Sequence, residues 1–400
     1  MYEYRNGVFL MDGVSLADVA ARFGTPCYVY SRADIEAAWR AYDSAFGARR
    51  HRIHYAVKAN ANLAVLDVLA RLGSGFDIVS AGELARVLAA RGEPRGIVFS
   101  GVGKTVADME AALAADIGVF NVESAAELQR LNAVAGRLGT RARIAVRVNP
   151  DVDARTHPYI STGLDENKFG VPMADALDVY RQAAGLPHLD VAGVACHIGS
   201  QLTSLAPFID AMARVMVLVA RLAEAGIALS HIDAGGGLGI RYRDEAPPPV
   251  ADYVAALCDV IPPQYEIGIE PGRSLVAAAG VLLTTVEYLK RTRKRHFAIV
   301  DAAMNDLIRP ALYEAWHEVL PLEDAAPVVP EDRYDIVGPV CESGDFLANE
   351  RTLRIVPGSR LALMSAGAYG HVMASNYNAR PRPPEVMVDG GEARLVRARE

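Results

Sequence analysis

Short apolar runs alternate with longer segments of helical periodicity through the middle of the chain. The runs are residues 55–57, 76–79, 97–99, 118–121, 143–148, 191–197, 231–233 and 265–269. Helical patterns lie between most of them, at residues 63–71, 81–91, 125–138 and 208–224. Eight strands joined by crossovers predict a parallel (β/α)8 TIM-like barrel, so the expected fold class is α/β.

The pattern changes on either side of this region. Strand-like runs without regular crossover helices occupy residues 281–289, 297–301, 334–338, 361–365 and 385–388. Near the start, apolar runs at 8–10 and 27–30 flank a helical segment at 16–23, and Ser31 is the predicted cap of a helix that ends at Phe46. We predict a barrel over residues 31–278 and a mainly β domain over 279–400, to which residues 1–30 contribute.

Polar residues and glycines follow the predicted barrel strands. Lys58 follows the first strand, His197 ends the sixth, and Glu270 follows the eighth. Glycine-rich segments at 235–239 and 270–273 follow the last two strands, where barrel enzymes commonly bind a phosphate. A glycine run alone indicates only a turn. The position of both runs, with Arg273 beside one, favours a phosphate site at the C-terminal face.

Composition narrows the class of protein. The 41 basic and 48 acidic residues give a net charge of -7, which disfavours non-specific nucleic-acid binding. The four cysteines, Cys27, Cys196, Cys258 and Cys341, have neither metal-site nor disulfide-framework spacing. The N-terminus does not resemble a signal peptide, and no long apolar run is present. We therefore expect a cytoplasmic protein that binds neither membranes nor a metal.

The candidate chemistry depends on Lys58. Lysine prefers water, and burial makes it a nucleophile that can form an imine with an aldehyde. The alternative is a lysine that extends its ammonium into solvent at a strand end. Pyridoxal phosphate needs such a lysine, backbone N–H groups near Gly236, Gly237 and Gly272 for its phosphate, and an acid such as Glu270 at its ring nitrogen. His197 could stack on the ring, or it could be a packed core histidine.

Several motifs resemble those of the fold-type III pyridoxal-phosphate decarboxylases, which share an alanine-racemase-like fold. They span about residues 50–390: HYAVKAN at 54–60, HIGSQ at 197–201, GGGLG at 235–239, EPGR at 270–273, DAAMNDLIRP at 301–310, GPVCESGD at 338–345, AGAYG at 366–370 and SNYNARPRP at 375–383. The resemblance implies a barrel plus a β domain, and a homodimer whose active sites are completed by the neighbouring subunit.

The resemblance also implies residue roles. Catalysis is expected from Lys58, Cys341 and His197, with Cys341 or Lys58 returning a proton to the substrate carbon. Cofactor binding is expected from Lys58, Asp77, His197, Ser200, Gly236, Gly237, Glu270, Gly272, Arg273 and Tyr369. Cys341 and Glu342 are expected from the partner subunit. Without the resemblance, a buried packing cysteine is the preferred interpretation of Cys341.

The resemblance extends to the members that convert meso-2,6-diaminopimelate into L-lysine and carbon dioxide. The far end of that substrate carries both an amine and a carboxylate, so groups of both charge signs are required. Substrate binding is expected from Arg273, Arg309, Tyr313, Glu342 and Tyr369, in which arginines hold a carboxylate and Glu342 holds an ammonium. A solvated surface position is the alternative for Arg309.

Other functions are possible on the same fold. A racemase would not require Glu270, and a decarboxylase of ornithine or arginine would not require Arg309 and Tyr313. A close analogue of diaminopimelate could be the substrate. A catalytically inactive regulatory homologue would not need Lys58. Residues 151–169 are rich in glycine, proline and charge, and we predict that they form a flap over the site.

Overall fold

The computed structural model describes residues 2–152, 168–324 and 328–400. Two compact units are present: residues 38–240 with 246–274, called here the barrel unit, and residues 1–37 with 241–245 and 275–400, called here the β unit. Within the described residues, no helix is both long and apolar enough to cross a membrane.

The strands, in chain order, are β1 (Tyr2–Arg5), β2 (Val8–Met11), β3 (Val14–Ser15), β4 (Cys27–Ser31), β5 (His51–Ala56), β6 (Gly75–Ile78), β7 (Ile97–Phe99), β8 (Val119–Val122), β9 (Ala142–Asn149), β10 (Val171–Pro172), β11 (Leu189–Ala195), β12 (His231–Asp233), β13 (Glu266–Ile269), β14 (Gly280–Arg291), β15 (His296–Val300), β16 (Val319–Pro321), β17 (Asp332–Val337), β18 (Phe346–Leu353), β19 (Arg360–Leu363), β20 (Glu385–Asp389) and β21 (Glu392–Arg397).

The α-helices, in chain order, are α1 (Leu16–Phe23), α2 (Arg32–Phe46), α3 (Leu63–Arg71), α4 (Ala81–Ala89), α5 (Val106–Ala114), α6 (Ala125–Arg137), α7 (Met173–Ala184), α8 (Ala206–Glu224), α9 (Val250–Val260), α10 (Arg273–Val276) and α11 (Arg309–Tyr313).

Eight parallel strands close into a barrel in the order β5, β6, β7, β8, β9, β11, β12, β13, and β13 pairs with β5 to complete the ring. The eight predicted strand positions and the barrel fold are confirmed. Buried aliphatic and aromatic side chains, such as Ile53, Phe76 and Ile144, account for the stability of these short strands. Because all eight strands are parallel, their carboxyl ends lie on one rim.

Side-chain caps define where the barrel helices begin. The Ser80 and Ser124 hydroxyls accept the backbone N–H groups of Glu83 and Glu127. Thr105 and Asp108 form a reciprocal capping box at the start of α5. Ser80 and Ser124 each lie two residues beyond a barrel strand, so α4 and α6 start close to the rim.

Two predicted details of the barrel rim are wrong. His197 was predicted to end the sixth strand, but β11 ends at Ala195, so His197 lies two residues beyond it. The sequence pattern extended the first strand to Val57, but β5 ends at Ala56, and Lys58 lies in a short 3-10 turn at Val57–Ala59. The reason is that Asn60 donates its backbone N–H to the carbonyl of Val57, which closes the turn. Lys58 is therefore presented from a turn at the rim rather than from a strand.

The β unit contains a sheet in the order β18, β17, β15, β14, β4, β20, β21, with β19 also paired to β14 and β16. Val29, Val281, Leu283 and Val386 pack in its apolar core. Strands β16, β18 and β21 were not predicted. The last two each have one strand neighbour in the described sheet, and their sequences lack the apolar alternation of a central strand.

Candidate active site

Lys58 and Asp77 form an ion pair at the barrel rim. The turn after β5 carries Lys58, and Asp77 lies in β6 opposite Ala56. The Lys58 Nζ atom is 2.8 Å from Asp77 Oδ2, and the Lys58 side chain is 41% exposed whereas that of Asp77 is 0% exposed. The other oxygen, Asp77 Oδ1, is buried and has no hydrogen-bond partner among the described residues. One carboxylate oxygen of Asp77 thus orients the Lys58 ammonium group, and the other can still accept a hydrogen bond.

Glu270 is a buried carboxyl group with a raised proton affinity. It follows β13 and is 8% exposed. Burial first, and then the nearby charges of Asp233 and Asp77, raise the pKa of Glu270 well above its ordinary value. The amide Nδ2 of Asn121 donates to Glu270 Oε1 at 3.2 Å. Burial therefore favours the protonated form of Glu270, which suits a group that shares a proton with a basic nitrogen.

Asp233 reinforces this effect from the end of β12. Burial raises the pKa of Asp233 to about 6. Its Oδ1 atom accepts the backbone N–H of Gly235 at 2.9 Å, which fixes the start of the glycine-rich loop. Asp233 therefore has two effects: its charge raises the pKa of Glu270, and its hydrogen bond fixes the start of the neighbouring loop.

His197 is held as a neutral ring in one tautomer. The backbone N–H of Gly236 lies 3.1 Å from His197 Nδ1, so this nitrogen accepts and carries no proton. Burial first, and then the charges of Arg147 and Lys58, lower the pKa of His197 well below its ordinary value. The result is an uncharged, oriented imidazole at the rim.

The loop after β12 requires glycine. A Cβ atom on Gly236 would lie 2.2 Å from the carbonyl oxygen of Glu270, and one on Gly237 would lie 2.5 Å from that of Gly199. Gly237 also has a φ of 120°, a conformation that side chains disfavour. Nearby, Arg273 Nη2 donates to Ser200 Oγ at 3.0 Å. This backbone concavity with an adjacent guanidinium has the chemistry of a phosphate site.

These residues fit pyridoxal phosphate. Lys58 offers an amine for the aldehyde, and Glu270 a proton-holding carboxyl group for the ring nitrogen. His197 offers a neutral flat face, and the Gly236 loop with Arg273 offers donors for a phosphate. The unsatisfied Asp77 Oδ1 is consistent with a further polar partner at this rim. The structure thus brings the barrel residues of the predicted set together in one unit.

The sequence pattern missed other polar residues of this rim. Arg147 lies in β9, is 8% exposed, and its Nη1 atom is 3.1 Å from Glu123 Oε1. Glu123 also accepts the backbone N–H groups of Gly101 and Gly170. The usable signal for Arg147 was an arginine inside an otherwise apolar strand. Asn121 and Asp233 gave weaker signals, because polar strand ends are common.

Arg309 lies in the β unit as the first residue of α11 and is 6% exposed. Its Nη1 atom is 3.0 Å from His317 Nε2, and its guanidinium carbon is 4.8 Å from the centroid of the Tyr242 ring. Arg309 is therefore buried, and the alternative of a solvated surface arginine is wrong. Tyr313 is half-buried at the end of the same helix.

The remaining predicted residues lie elsewhere in the β unit. Cys341 and Glu342 are exposed, and the Tyr377 hydroxyl donates to Glu342 Oε1 at 2.6 Å. Cys341 is therefore not a buried packing cysteine within the chain. Tyr369 is half-buried and has a φ of 56°. Most of the predicted flap, residues 153–167, lies outside the described residues.

Comparison with known proteins identifies the family. The sequence matches the family described as "Pyridoxal-dependent decarboxylase, pyridoxal binding domain" over residues 32–277. It is 59% identical to the diaminopimelate decarboxylase of Pseudomonas aeruginosa, with 100% of this chain and 96% of that protein covered. The chain belongs to the diaminopimelate decarboxylase family. The resemblance inferred from the motifs is confirmed.

Solved structures of relatives agree with the fold. Diaminopimelate decarboxylase from Helicobacter pylori, complexed with L-lysine, is 42% identical with a TM-score of 0.92, and 96% of each chain is covered. The enzyme from M. jannaschii, in complex with L-lysine, is 40% identical with a TM-score of 0.94, and the match covers 100% of this chain and 95% of that one.

Proposed function

We propose that this protein decarboxylates meso-2,6-diaminopimelate to L-lysine and carbon dioxide, using pyridoxal 5'-phosphate. One observation carries the proposal: a lysine aimed by a buried aspartate shares the barrel rim with a proton-holding glutamate and a glycine-built concavity. The high identity to relatives with this activity supports the same substrate. The reaction is a carboxy-lyase step that yields an amino acid.

The cofactor, when bound, supplies an electron-accepting ring that stabilises the carbanion left by loss of carbon dioxide. Lys58 would hold the cofactor through its aldehyde, and Asp77, whose Oδ2 atom lies 2.8 Å from Lys58 Nζ, orients the Lys58 amine. Glu270, whose pKa is raised by burial, would face the ring nitrogen and favour its protonated form. The neutral His197 would pack on the ring, and the Gly236 and Gly272 backbone, Ser200 and Arg273 would bind the phosphate.

Residues of the β unit are proposed to select the substrate. Arg309 holds the far carboxylate, with Arg273, Tyr313 and Tyr369 as further donors, and Glu342 holds the far ammonium. The reaction removes only one of the two carboxylates, so the carboxylate that Arg309 holds is the one retained in lysine. Cys341 supplies the proton that replaces the lost carboxylate.

The direct test is carbon dioxide release from a panel of amino acids by the cofactor-loaded enzyme. We expect meso-diaminopimelate to be decarboxylated far faster than ornithine, arginine or lysine, with L-lysine as the product. Equal turnover of ornithine and diaminopimelate would reject the proposed substrate. Amino-acid racemisation without carbon dioxide release would instead indicate a racemase.

We further propose a homodimer in which Cys341 and Glu342 serve the partner's site. Their exposure in the isolated chain supports this, as does the charge-assisted hydrogen bond from Tyr377, which holds Glu342 in place on an open surface. The four free thiols, Cys27, Cys196, Cys258 and Cys341, support a cytoplasmic location.

Mixing two inactive variants tests the shared site. Lys58→Ala and Cys341→Ala each damage both sites of their own dimer, whereas a mixed dimer carries one site with both defects and one with neither. Random exchange makes about half of the dimers mixed, so roughly a quarter of native activity should return. Confirmed mixed dimers without recovered activity would place both residues in one chain.

A further inference from the structure

Two side chains contact the Arg309 guanidinium within the β unit. One of its N–H groups points at His317 Nε2, at 3.0 Å, and its guanidinium plane lies against the Tyr242 ring, at 4.8 Å. A hydrogen-bond acceptor and an aromatic face together fix the direction of a guanidinium group. This arrangement suits an arginine that must bind an anion from outside.

His317 can play this part only in one tautomer. Its Nδ1 atom lies 2.7 Å from the carbonyl oxygen of Met364, which can only accept, so Nδ1 carries the proton. The Nε2 atom is then the acceptor for Arg309. His317 is 0% exposed, and adding a second proton would remove the acceptor that Arg309 uses.

Other contacts hold His317 and Tyr242 in place. Arg351 Nη2 donates to the carbonyl oxygen of His317 at 3.0 Å, and its guanidinium carbon lies 3.1 Å from the centroid of the Trp316 ring. The Tyr242 backbone N–H donates to Glu245 Oε2 at 3.0 Å. The Tyr242 and His317 rings meet edge to face, at 5.7 Å between centroids. The two groups that contact Arg309 therefore also hold each other.

We propose that His317 is a positioning residue for Arg309, with Tyr242 as its second support, and that together they set the preference for substrates with a carboxylate at the far end. The proposal rests on the proposed function, in which Arg309 holds that carboxylate. His317 acts through Arg309 and does not contact the substrate. A guanidinium held in this way can present its remaining face to a carboxylate in a fixed direction.

Two substitutions of similar shape separate positioning from packing. The amide group of His317→Gln reaches the position of Nε2, so its oxygen can still accept from Arg309. The amide group of His317→Asn reaches the position of Nδ1, so it can still donate to Met364 but leaves Arg309 without this acceptor. A purely structural histidine would tolerate the two changes equally.

The readout is competitive inhibition of the cofactor-loaded enzyme by L-lysine and by 1,5-diaminopentane. These molecules differ only in the carboxylate that Arg309 is proposed to hold. In His317→Asn, we expect the KM of meso-diaminopimelate and the inhibition constant of L-lysine to rise about tenfold, the effect of one hydrogen bond to a charged group. The inhibition constant of 1,5-diaminopentane should stay at its native value, and kcat should change much less than KM. His317→Gln should recover most of the native preference.

Comparison with Arg309→Ala distinguishes failure of this inference from failure of the proposed function. If Arg309→Ala leaves the preference for L-lysine over 1,5-diaminopentane unchanged, the proposed clamp is wrong and the role of His317 falls with it. If Arg309→Ala removes the preference but His317→Asn does not, only the inference about His317 is overturned. Equal effects of His317→Asn and His317→Gln would also overturn it.

Tyr242→Leu provides a second route that does not disturb the buried hydrogen bonds of His317. Loss of the aromatic face should weaken L-lysine binding by roughly fivefold and leave 1,5-diaminopentane unaffected. Tyr242→Phe, which keeps the ring, is the matched control and should retain the native preference. An unchanged preference in Tyr242→Leu would contradict the proposed support.

Discussion

The buried carboxyl groups of the barrel rim and the buried guanidinium groups beside His317 in the β unit respond differently to the loss of water. At the rim, Asp77, Asp233 and Glu270 are all nearly inaccessible to solvent. In the β unit, the guanidinium groups of Arg309 and Arg351, which both contact His317, are buried too. Burial has a different effect on the charge of these two kinds of side chain.

A carboxyl group can respond to burial by binding a proton, whereas a guanidinium group keeps its charge. Burial therefore raises the pKa of Glu270 and of Asp233 and makes the rim a place that holds protons. Arg351 illustrates how a guanidinium group responds: burial lowers its pKa only to about 10, so it stays charged at neutral pH. In the proposed function, the rim carboxyl groups serve proton chemistry, and the buried arginines of the β unit serve recognition of a carboxylate.

Removal of Lys58 from the barrel rim should cause the largest loss of activity. Lys58→Ala deprives the buried Asp77 of its cation and the cofactor of its covalent attachment, so nearly all turnover should disappear. Visible absorption and its loss on borohydride reduction provide the measurement. Peptide mapping of the reduced native enzyme should place the label on Lys58 and not on Lys104, the buried lysine that pairs with Glu127. A fully active alanine variant would contradict the assignment.

Glu270→Gln tests whether the acidic rim acts through its proton. The substitution keeps the shape but removes the acidic group, so kcat should fall by about 10²–10⁴. The KM of diaminopimelate should change little because Glu270 is proposed to touch the ring nitrogen and not the substrate. Steady-state kinetics with saturating cofactor separates these quantities. A loss of less than fivefold in kcat, or a loss confined to KM, would argue against this role.

Arg309→Ala tests the permanent charge of the β unit. If Arg309 binds the far carboxylate, its removal should cost about 2–5 kcal/mol in kcat/KM, expressed mainly as a higher KM. Arg309→Lys is the matched control: it keeps the charge but cannot form a bidentate contact, so it should recover only part of the loss. An alanine variant with native KM would remove Arg309 from the substrate site.

The smallest expected effect concerns a buried base in the barrel. Burial lowers the pKa of His54 to about 4, against about 6.5 in an unfolded chain. The folded state thus favours neutral His54, and its contribution to stability is fully present above pH 6.5 and is lost as the pH falls towards 4. Between pH 7 and pH 5, this group should remove roughly 2 kcal/mol from the free energy of unfolding.

His54→Asn isolates that contribution. The His54 Nδ1 atom lies 3.0 Å from the carbonyl oxygen of Gly96, and an asparagine amide can donate to the same oxygen without titrating. Urea unfolding at pH 7 and at pH 5 should show a smaller acid-induced loss in the variant than in the native protein. Identical losses in the two proteins would mean that His54 does not carry the pH dependence.

Much of the barrel rim was predictable because its chemistry follows short apolar strands in the sequence. Lys58, His197 and Glu270 each lie at or just beyond the end of a strand, so the parallel topology brings them to one edge. The details that depend on backbone geometry were not predictable. The turn that carries Lys58 is closed by a local hydrogen bond that leaves no periodic pattern.

The supports of Arg309 were not predictable from the sequence. Tyr242 belongs to a five-residue segment that clusters with the β unit, although it follows the seventh barrel strand in the chain. His317 has no helical or strand periodicity that marks it as buried. Their roles arise from contacts between distant segments, and such contacts are visible only in three dimensions.

The central position of β4 constrains how the protein is made. Its Val29 pairs with Val281 on one side and with Val386 on the other, so both neighbours are synthesised long after it. At about 5–20 residues per second, a ribosome would leave this apolar strand unpaired for tens of seconds, while the strands of the barrel could already associate. Nascent chains should therefore depend on protection of β4 from aggregation until the last residues emerge.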